Sequence, residues 1–253
     1  MSGLSKLSML SINKLSYSFG GERAIFDQIS LDVNSGEFVS VIGASGSGKS
    51  TLFKLITGLL APEQGEIQIK GQHSGKRTGS VGYMPQKDLL LPWRTVVENV
   101  LLPIEIAKES KQRKLPAVRE WLDRFGLAAY ENAYPGELSG GMRQRVAFLR
   151  TLMTGKDLLL LDEPFGALDS LTKRKMHSWL LGLWGELQKT VLFITHDLEE
   201  AILLSDRIYV LKGDRGVQEV KVKLSRPRKA ELIYETEFMR MRKELEWLIQ
   251  DEN

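Results

Sequence analysis

The chain contains 253 residues, of which 42% are hydrophobic and 26% are charged, a composition typical of a globular protein with a substantial core. Its formal net charge of +3 gives no bulk argument for nucleic-acid binding, and the absence of cysteine excludes disulfides and cysteine-ligated metal sites. No apolar stretch approaches the roughly 18 residues that span a bilayer, and the N-terminus lacks the apolar core of a secretory signal. We therefore expect any membrane role to depend on a partner.

Short apolar runs alternate with helical patterns along much of the chain. The predicted buried strands are 38–43, 158–162, 191–195 and 207–211. Helical periodicity is clear over 49–60 and over 171–187. This alternation predicts an α/β fold with a mostly parallel sheet, because such apolar strands suit a sheet that is covered on both faces.

The middle of the chain, from about residue 87 to residue 150, has helical signals and no clear strand. Thr95 and Glu98 have the spacing of a capping box, and Gly126 is suited to ending a helix. We interpret this region as a helical subdomain inserted into the α/β core of a single domain that spans residues 1–253.

A C-terminal extension is predicted over about residues 212–253. Its last segment has helical periodicity and places apolar residues on one face. These residues are Phe238, Met241, Leu245 and Leu248. We expect a helix that packs on the core, in preference to one that binds a partner.

Residues 43–51, GASGSGKST, match the phosphate-loop pattern through Gly43, Gly48, Lys49 and Ser50. The segment follows a predicted strand and precedes a predicted helix, which is the context that the motif requires. Backbone N–H groups and the helix N-terminus would then face phosphate oxygens. Lys49 would reach the β- and γ-phosphates, and Ser50 would bind Mg²⁺.

The apolar run 158–162 ends in two acids, Asp162 and Glu163. Asp162 is predicted to hold Mg²⁺, directly or through water. Glu163 would place a second carboxylate in the same space, where it can orient or deprotonate an attacking water.

A serine and two glycines precede another predicted helix, within residues 138–145, LSGGMRQR. The helix is predicted over residues 142–153, with apolar residues at Met142, Val146, Leu149 and Met153. Glycine pairs are costly inside helices. Ser139, Gly140 and Gly141 are therefore interpreted as a helix cap, a docking surface, or both.

Together these segments resemble the ATPase subunit of ABC transporters, with LSGGMRQR similar to the family's signature motif. Gln86, in GYMPQ, matches the glutamine of that family's Q-loop, and Asp169, in FGALD, resembles the aspartate of its D-loop. His196, in FITHD, is similar to its switch histidine. The motifs occur in the family's order. The spellings near residues 86–100, 133–147 and 162–173 resemble importers of the nitrate, sulfonate and taurine group.

The resemblance implies a P-loop ATPase core with a mostly parallel sheet, an N-terminal antiparallel β portion and the helical insertion. It implies catalytic roles for Glu163, His196, Gln86 and Lys49, and metal binding by Ser50, Gln86 and Asp162. The residues expected to contact ATP are Phe19, Gly43, Ala44, Ser45, Gly46, Ser47, Gly48, Lys49, Ser50, Thr51, Ser139, Gly140, Gly141 and Asp169. Phe19 is preferred over Tyr17 as the aromatic that stacks on adenine.

The implied function is ATP hydrolysis, with ATP and Mg²⁺, that energises an importer at the cytoplasmic face of the membrane. Two copies would form a head-to-tail homodimer that binds transmembrane permease subunits. An extracytoplasmic binding protein would deliver a small anion or organic solute to the permease. No nucleic-acid partner is expected. The alternatives are a soluble ATPase of this type that acts on nucleic acid or protein assembly, and a non-catalytic subunit. Leu91, Pro92 and Trp93 are predicted either to line the permease-docking groove or to lie in the subdomain core.

Overall fold

The computed structural model describes residues 8–21, 24–73, 77–166, 168–187, 189–212 and 216–250. The strands are β1 (Ser8–Ser18), β2 (Ala24–Asn34), β3 (Phe38–Ile42), β4 (Gln64–Ile69), β5 (Gln72–His73), β6 (Gly82–Met84), β7 (Leu158–Asp162), β8 (Thr190–Ile194), β9 (Arg207–Leu211) and β10 (Val217–Lys221). The helices are α1 (Lys49–Thr57), α2 (Val96–Ile106), α3 (Lys111–Arg124), α4 (Gly140–Leu152), α5 (Ser170–Leu187), α6 (Leu198–Leu204) and α7 (Thr236–Gln250). None of these described helices is long and apolar enough to cross a membrane.

The larger sheet has the strand order β10-β9-β3-β8-β7-β6 in the described part of the chain. All its pairs are parallel except β10 with β9. Strands β3, β7, β8 and β9 bury every residue, as expected for a sheet covered on both faces. The predicted α/β class is confirmed, and each predicted strand lies within one residue of an observed one.

The smaller sheet has the order β2-β1-β4-β5 and is antiparallel, which confirms the N-terminal antiparallel portion. Its inner face and helix α1 share one apolar core with the larger sheet. Fully buried members from both sheets are Leu10, Leu15, Val33, Val39 and Leu160. This core fixes the position of α1 against β3, and therefore the position of the loop between them.

Helices α2, α3 and α4 lie between β6 and β7 in the chain, and their apolar residues share one core with α5 and one face of the larger sheet. The capping box of α2 is confirmed: Glu98 N–H donates to Thr95, and Thr95 N–H donates to the Glu98 carboxylate. Gly126 follows the end of α3 with a φ of 65°, in the left-handed region where glycine ends helices without strain. The domain boundaries given above stay predictions.

Two helix ends differ from the sequence prediction. Helix α1 ends at Thr57 and not at residue 60, because Gly58 adopts a φ of 78° and its N–H donates to the Leu55 carbonyl. Helix α4 begins at Gly140, two residues earlier than predicted. Ser139 makes this possible, since its hydroxyl accepts the N–H of Met142 and caps the first turn.

Helix α7 packs on α6 and β9 through the predicted apolar face. Phe238 and Leu245 are fully buried there, and Met241 and Leu248 are nearly so. The prediction of a packing helix is confirmed for this face, while Trp247 on the opposite face is 62% exposed.

We expect Phe238→Ala to lower the free energy of unfolding by about 3–5 kcal/mol, because it removes a buried ring and leaves a cavity. Trp247→Ala on the same helix is the matched control and should have little effect. Urea unfolding followed by circular dichroism measures both. Equal losses for the two variants would contradict the packing role of this face.

Candidate functional site

The loop between β3 and α1 is shaped by glycine conformations. Gly46 and Gly48 have φ values of 84° and 93°, which other residues rarely adopt. A Cβ on Gly48 would also lie 2.6 Å from Ile25 Cγ2, so the loop has no room for a side chain there. Helix α1 has no side-chain cap at its N-terminus. Its first N–H groups are therefore available to an anion.

Two side chains add donors to this loop. The Lys49 ammonium donates to the carbonyl oxygens of Gly43 (2.9 Å) and Ala44 (2.8 Å), and so lies along the loop backbone. The Ser47 hydroxyl is buried and has no hydrogen-bond partner within the described ranges. A buried hydroxyl without a partner is costly. Both groups fit a phosphate in the loop.

Asp162, at the end of β7, faces this loop. Its Oδ1 lies 3.5 Å from the Ser50 hydroxyl, and its Oδ2 accepts the Tyr83 hydroxyl at 3.3 Å. Burial, and then the charge of Glu163, raise the pKa of Asp162 above its ordinary value. Burial and the Asp162 charge likewise raise the pKa of Tyr83 to about 12. The sequence prediction missed Tyr83, although it lies in the GYMPQ segment three residues before Gln86.

The oxygens of Ser50 and Asp162 are the donor type that Mg²⁺ prefers. No group of three acidic, histidine or cysteine side chains suited to a metal occurs in the described ranges. The protein thus offers a partial ligand set, which fits an ion that is shared with phosphate oxygens and water. Gln86, the third predicted metal ligand, is paired elsewhere: its Nε2 donates to Glu163 Oε2 at 3.1 Å.

Two predicted site residues contact one carboxylate oxygen of Glu163. His196 Nδ1 lies 3.2 Å from the same Oε2 that accepts from Gln86. The backbone of Glu163 has a φ of 44°, a strained conformation for a residue other than glycine. Its N–H donates to the Ile194 carbonyl at 2.9 Å, so the neighbouring strand holds the strained residue in place.

One cleft of about 600 Å³ joins the phosphate loop to the cluster of Gln86, Glu163 and His196. Its lining includes Phe19, Gly43, Lys49, Ser50, Gln86, Glu163 and His196. The Phe19 ring is 54% exposed and meets Tyr17 edge-on, with centroids 5.2 Å apart, whereas Tyr17 is buried in the core. An exposed ring at the cleft is the one available for stacking, which supports Phe19 over Tyr17.

The structure places the remaining predicted residues away from the cleft, with Ser139 and Asp169 exposed, Gly140 half-buried and Gly141 buried. Ser139, Gly140, Gly141 and Asp169 do not line the cleft. Their elements adjoin one another: a Cβ on Gly140 would lie 3.5 Å from Leu168, and one on Gly141 would lie 2.8 Å from Thr172. Asp169 caps α5, and the hydrogen bonds from Thr172 hold its pKa below the ordinary value.

The family model described as "ABC transporter" matches residues 26–166. The formylaminopyrimidine import ATP-binding protein ThiZ of Halalkalibacterium halodurans is 45% identical over 97% of this chain and 98% of its own length. The nitrate import ATP-binding protein NrtD of Synechocystis is 40% identical over 87% of this chain and 83% of its own. SsuB of Bacillus cereus, an aliphatic sulfonates import ATP-binding protein, is 41% identical over 82% of each chain.

Solved structures give the same result for the fold. The ATP-binding cassette MJ0796, solved as a post-hydrolysis dimer with ADP and Pi, superposes with a TM-score of 0.73 at 34% identity, over 86% of this chain and 100% of that one. CbiO1 from Clostridium perfringens, part of the transporter complex cbiONQ, gives 0.78 at 26% identity, over 92% and 93%. The relatives match nearly the whole chain, and the family model covers the phosphate loop and both acids. The chain therefore belongs to the ABC transporter family.

Proposed function

We propose that this chain is the ATP-hydrolysing subunit of an ABC importer. The observation that carries the proposal is the cleft in which Lys49, Ser50 and the Gln86–Glu163–His196 cluster meet beside an uncapped helix N-terminus, with Asp162 against Ser50. The import ATP-binding proteins reported above resemble the chain over most of its length. The alternative of an ATPase that acts on nucleic acid or protein assembly is not favoured by these relatives.

The active assembly is a head-to-tail dimer of two such chains. One chain supplies the cleft, and the other supplies Ser139, Gly140 and Gly141 to the γ-phosphate. The separation of these two surfaces within one chain supports this arrangement, as does the dimeric state of the MJ0796 cassette. ATP favours the closed dimer because it contacts both chains, and hydrolysis removes that preference.

Hydrolysis depends on Glu163, which orients or deprotonates the attacking water. Gln86 and His196 hold its carboxylate at the cleft by contacts of 3.1 and 3.2 Å. Lys49 binds the β- and γ-phosphates, while Ser50 and Asp162 hold Mg²⁺. That ion, when bound, neutralises charge on the phosphate oxygens.

The permease docks on the segment that follows Gln86. Leu89 and Trp93 are 59% and 71% exposed, and Pro92 is exposed beside them, so Trp93 is not a core residue. This segment is tied to helix α4, because Arg150 donates to the carbonyl of Leu89 at 2.8 Å. A movement of the docking segment is thereby transmitted to the helix that begins at Gly140.

The transported solute is a small anion or organic solute similar to nitrate, a sulfonate or taurine, and the permease and binding protein select it. The cassette acts at the cytoplasmic face of the membrane as a peripheral subunit. Its attachment depends on the permease.

We expect Glu163→Gln to lower ATP turnover by roughly 10²- to 10⁴-fold, because the amide keeps the side-chain shape and removes the base. The variant should still bind ATP and should accumulate as a closed dimer, which size-exclusion chromatography with ATP detects. Glu244→Gln, on an exposed face of α7, is the matched control. Wild-type turnover in Glu163→Gln would contradict the assigned role.

Phe19→Ala should raise the Kd for ATP by roughly five- to 150-fold, which corresponds to about 1–3 kcal/mol of lost base stacking. Since the ring is half-exposed, the free energy of unfolding without nucleotide should change little. Fluorescence titration with labelled ATP measures the affinity. Tyr234→Ala removes another exposed ring as a control, and equal affinities for the two variants would exclude Phe19 as the adenine contact.

Trp93→Ala should weaken the attachment to the permease by about 2 kcal/mol or more, the size expected for a tryptophan that anchors an interface. Co-purification of the tagged chain with the permease from membranes measures this loss. Trp247→Ala, a similarly exposed tryptophan on α7, should co-purify normally. Undiminished recovery with a correctly folded Trp93→Ala would rule out docking at this segment.

A further inference from the structure

His196 is exposed, but hydrogen bonds hold its two neighbours in the chain, Thr195 and Asp197, in place. The buried hydroxyl of Thr195 donates to Glu200 Oε2 at 2.5 Å and accepts the N–H of Asp197 at 3.0 Å. Asp197 Oδ1 in turn accepts the N–H of Glu200 at 3.3 Å and caps α6. The backbone on either side of His196 is therefore fixed to the first turn of α6.

Lys173 fastens this turn to helix α5. Its Nζ lies 3.1 Å from Asp197 Oδ2 and 3.2 Å from Glu200 Oε1. Glu200 is only 2% exposed and also meets His177 Nε2 at 3.0 Å. Burial alone would lower the pKa of Lys173, but the two carboxylates outweigh it and raise that pKa, so the ammonium is charged. The Lys173 side chain is 17% exposed, and the two carboxylates hold its ammonium in place.

Helix α5 carries Lys173 one turn after Asp169. The Lys173 N–H donates to the Asp169 carbonyl at 2.8 Å, and the Asp169 side chain caps the same turn. Asp169 follows Leu168, which adjoins Gly140, so in the proposed dimer Asp169 lies at the boundary with the second subunit. Direct contacts then run from the subunit boundary, through the first turn of α5, to both neighbours of His196, which itself meets Glu163 at 3.2 Å.

We propose that Lys173 is a positioning residue for ATP hydrolysis: through Asp197 and Glu200 it sets the placement of His196 against Glu163 and ties that placement to the loop at Asp169. The inference rests on the proposed function, since it assumes that His196 acts during hydrolysis. Lys173 does not line the nucleotide cleft. Its loss should therefore lower turnover and leave ATP affinity unchanged.

Two variants of the full chain test this contact. Lys173→Met removes the charge and keeps the length of the side chain, and Thr195→Val removes the hydroxyl that links Glu200 to Asp197. Each should lower kcat by roughly 10- to 100-fold, the cost of a small misplacement of a reacting group, with the Kd for Mg-ATP unchanged. Lys173→Arg keeps the positive charge and should recover most of the turnover. If Lys173→Met does not fold, the kcat values of Thr195→Val and Lys173→Arg still test the proposal.

Matched controls separate positioning from loss of stability. Thr190 is the first residue of β8, the strand that ends just before Thr195. Its buried hydroxyl accepts the Gly36 N–H at 3.0 Å. Arg207, at the start of β9, also contacts two carboxylates, Glu37 at 2.7 Å and Asp32 at 3.0 Å. Thr190→Val and Arg207→Met lose similar interactions away from the cleft. When turnover is calculated per folded molecule, both should therefore keep the wild-type kcat.

The double variant Lys173→Met/Thr195→Val should lose no more turnover than the worse single variant, because both act through the same contact. His196→Ala is the reference. If it abolishes turnover while Lys173→Met and Thr195→Val retain theirs, or lose no more than the two controls, the positioning role is overturned and the proposed function stands. If His196→Ala retains turnover, the assumption about His196 in the proposed function fails first.

Discussion

The candidate site depends on the register of three parallel strands. Ile194 of β8 lies opposite Val41 of β3 on one side and opposite Asp162 of β7 on the other. The residues that follow these positions therefore emerge at the same edge of the sheet, as expected for the carboxyl ends of parallel strands. They are the phosphate loop, Glu163 and the turn with His196. A shift of one residue in either pairing would turn the side chains of that strand to the other face.

Much of this arrangement could be predicted because its signals are local. The fully apolar strands, the capping box at Thr95 and the phosphate-loop spacing each depend on residues a few positions apart. The end of α1 was predicted three residues too late, although Gly58 carries the signal: helical periodicity persists beyond the point where a left-handed glycine closes the last turn. The start of α4 was placed late because the glycine pair argued against a helix, whereas the Ser139 cap offsets their cost.

The parts that could not be predicted depend on contacts between distant segments. The sequence offers no spacing rule that joins Tyr83 to Asp162, or Lys173 of α5 to Glu200 of α6. These pairs follow only from the packing of helices and strands in three dimensions. The sequence predicted that Gln86, Glu163 and His196 belong to one site. It did not predict that Gln86 and His196 contact the same carboxylate oxygen of Glu163. The exposure of Trp93 likewise removed an alternative that the sequence left open.

The central claim is that the cleft of one chain works with the Ser139 surface of another. Mixing two inactive variants tests it most directly. Lys49→Ala disables the cleft, and Ser139→Asp keeps a helix-capping side chain while placing a negative charge against a phosphate. In a head-to-tail dimer, one of the two sites of each mixed pair receives an intact cleft and an intact Ser139 surface. The account predicts that the mixture hydrolyses ATP faster than either variant alone; a mixture no more active than its components would contradict it.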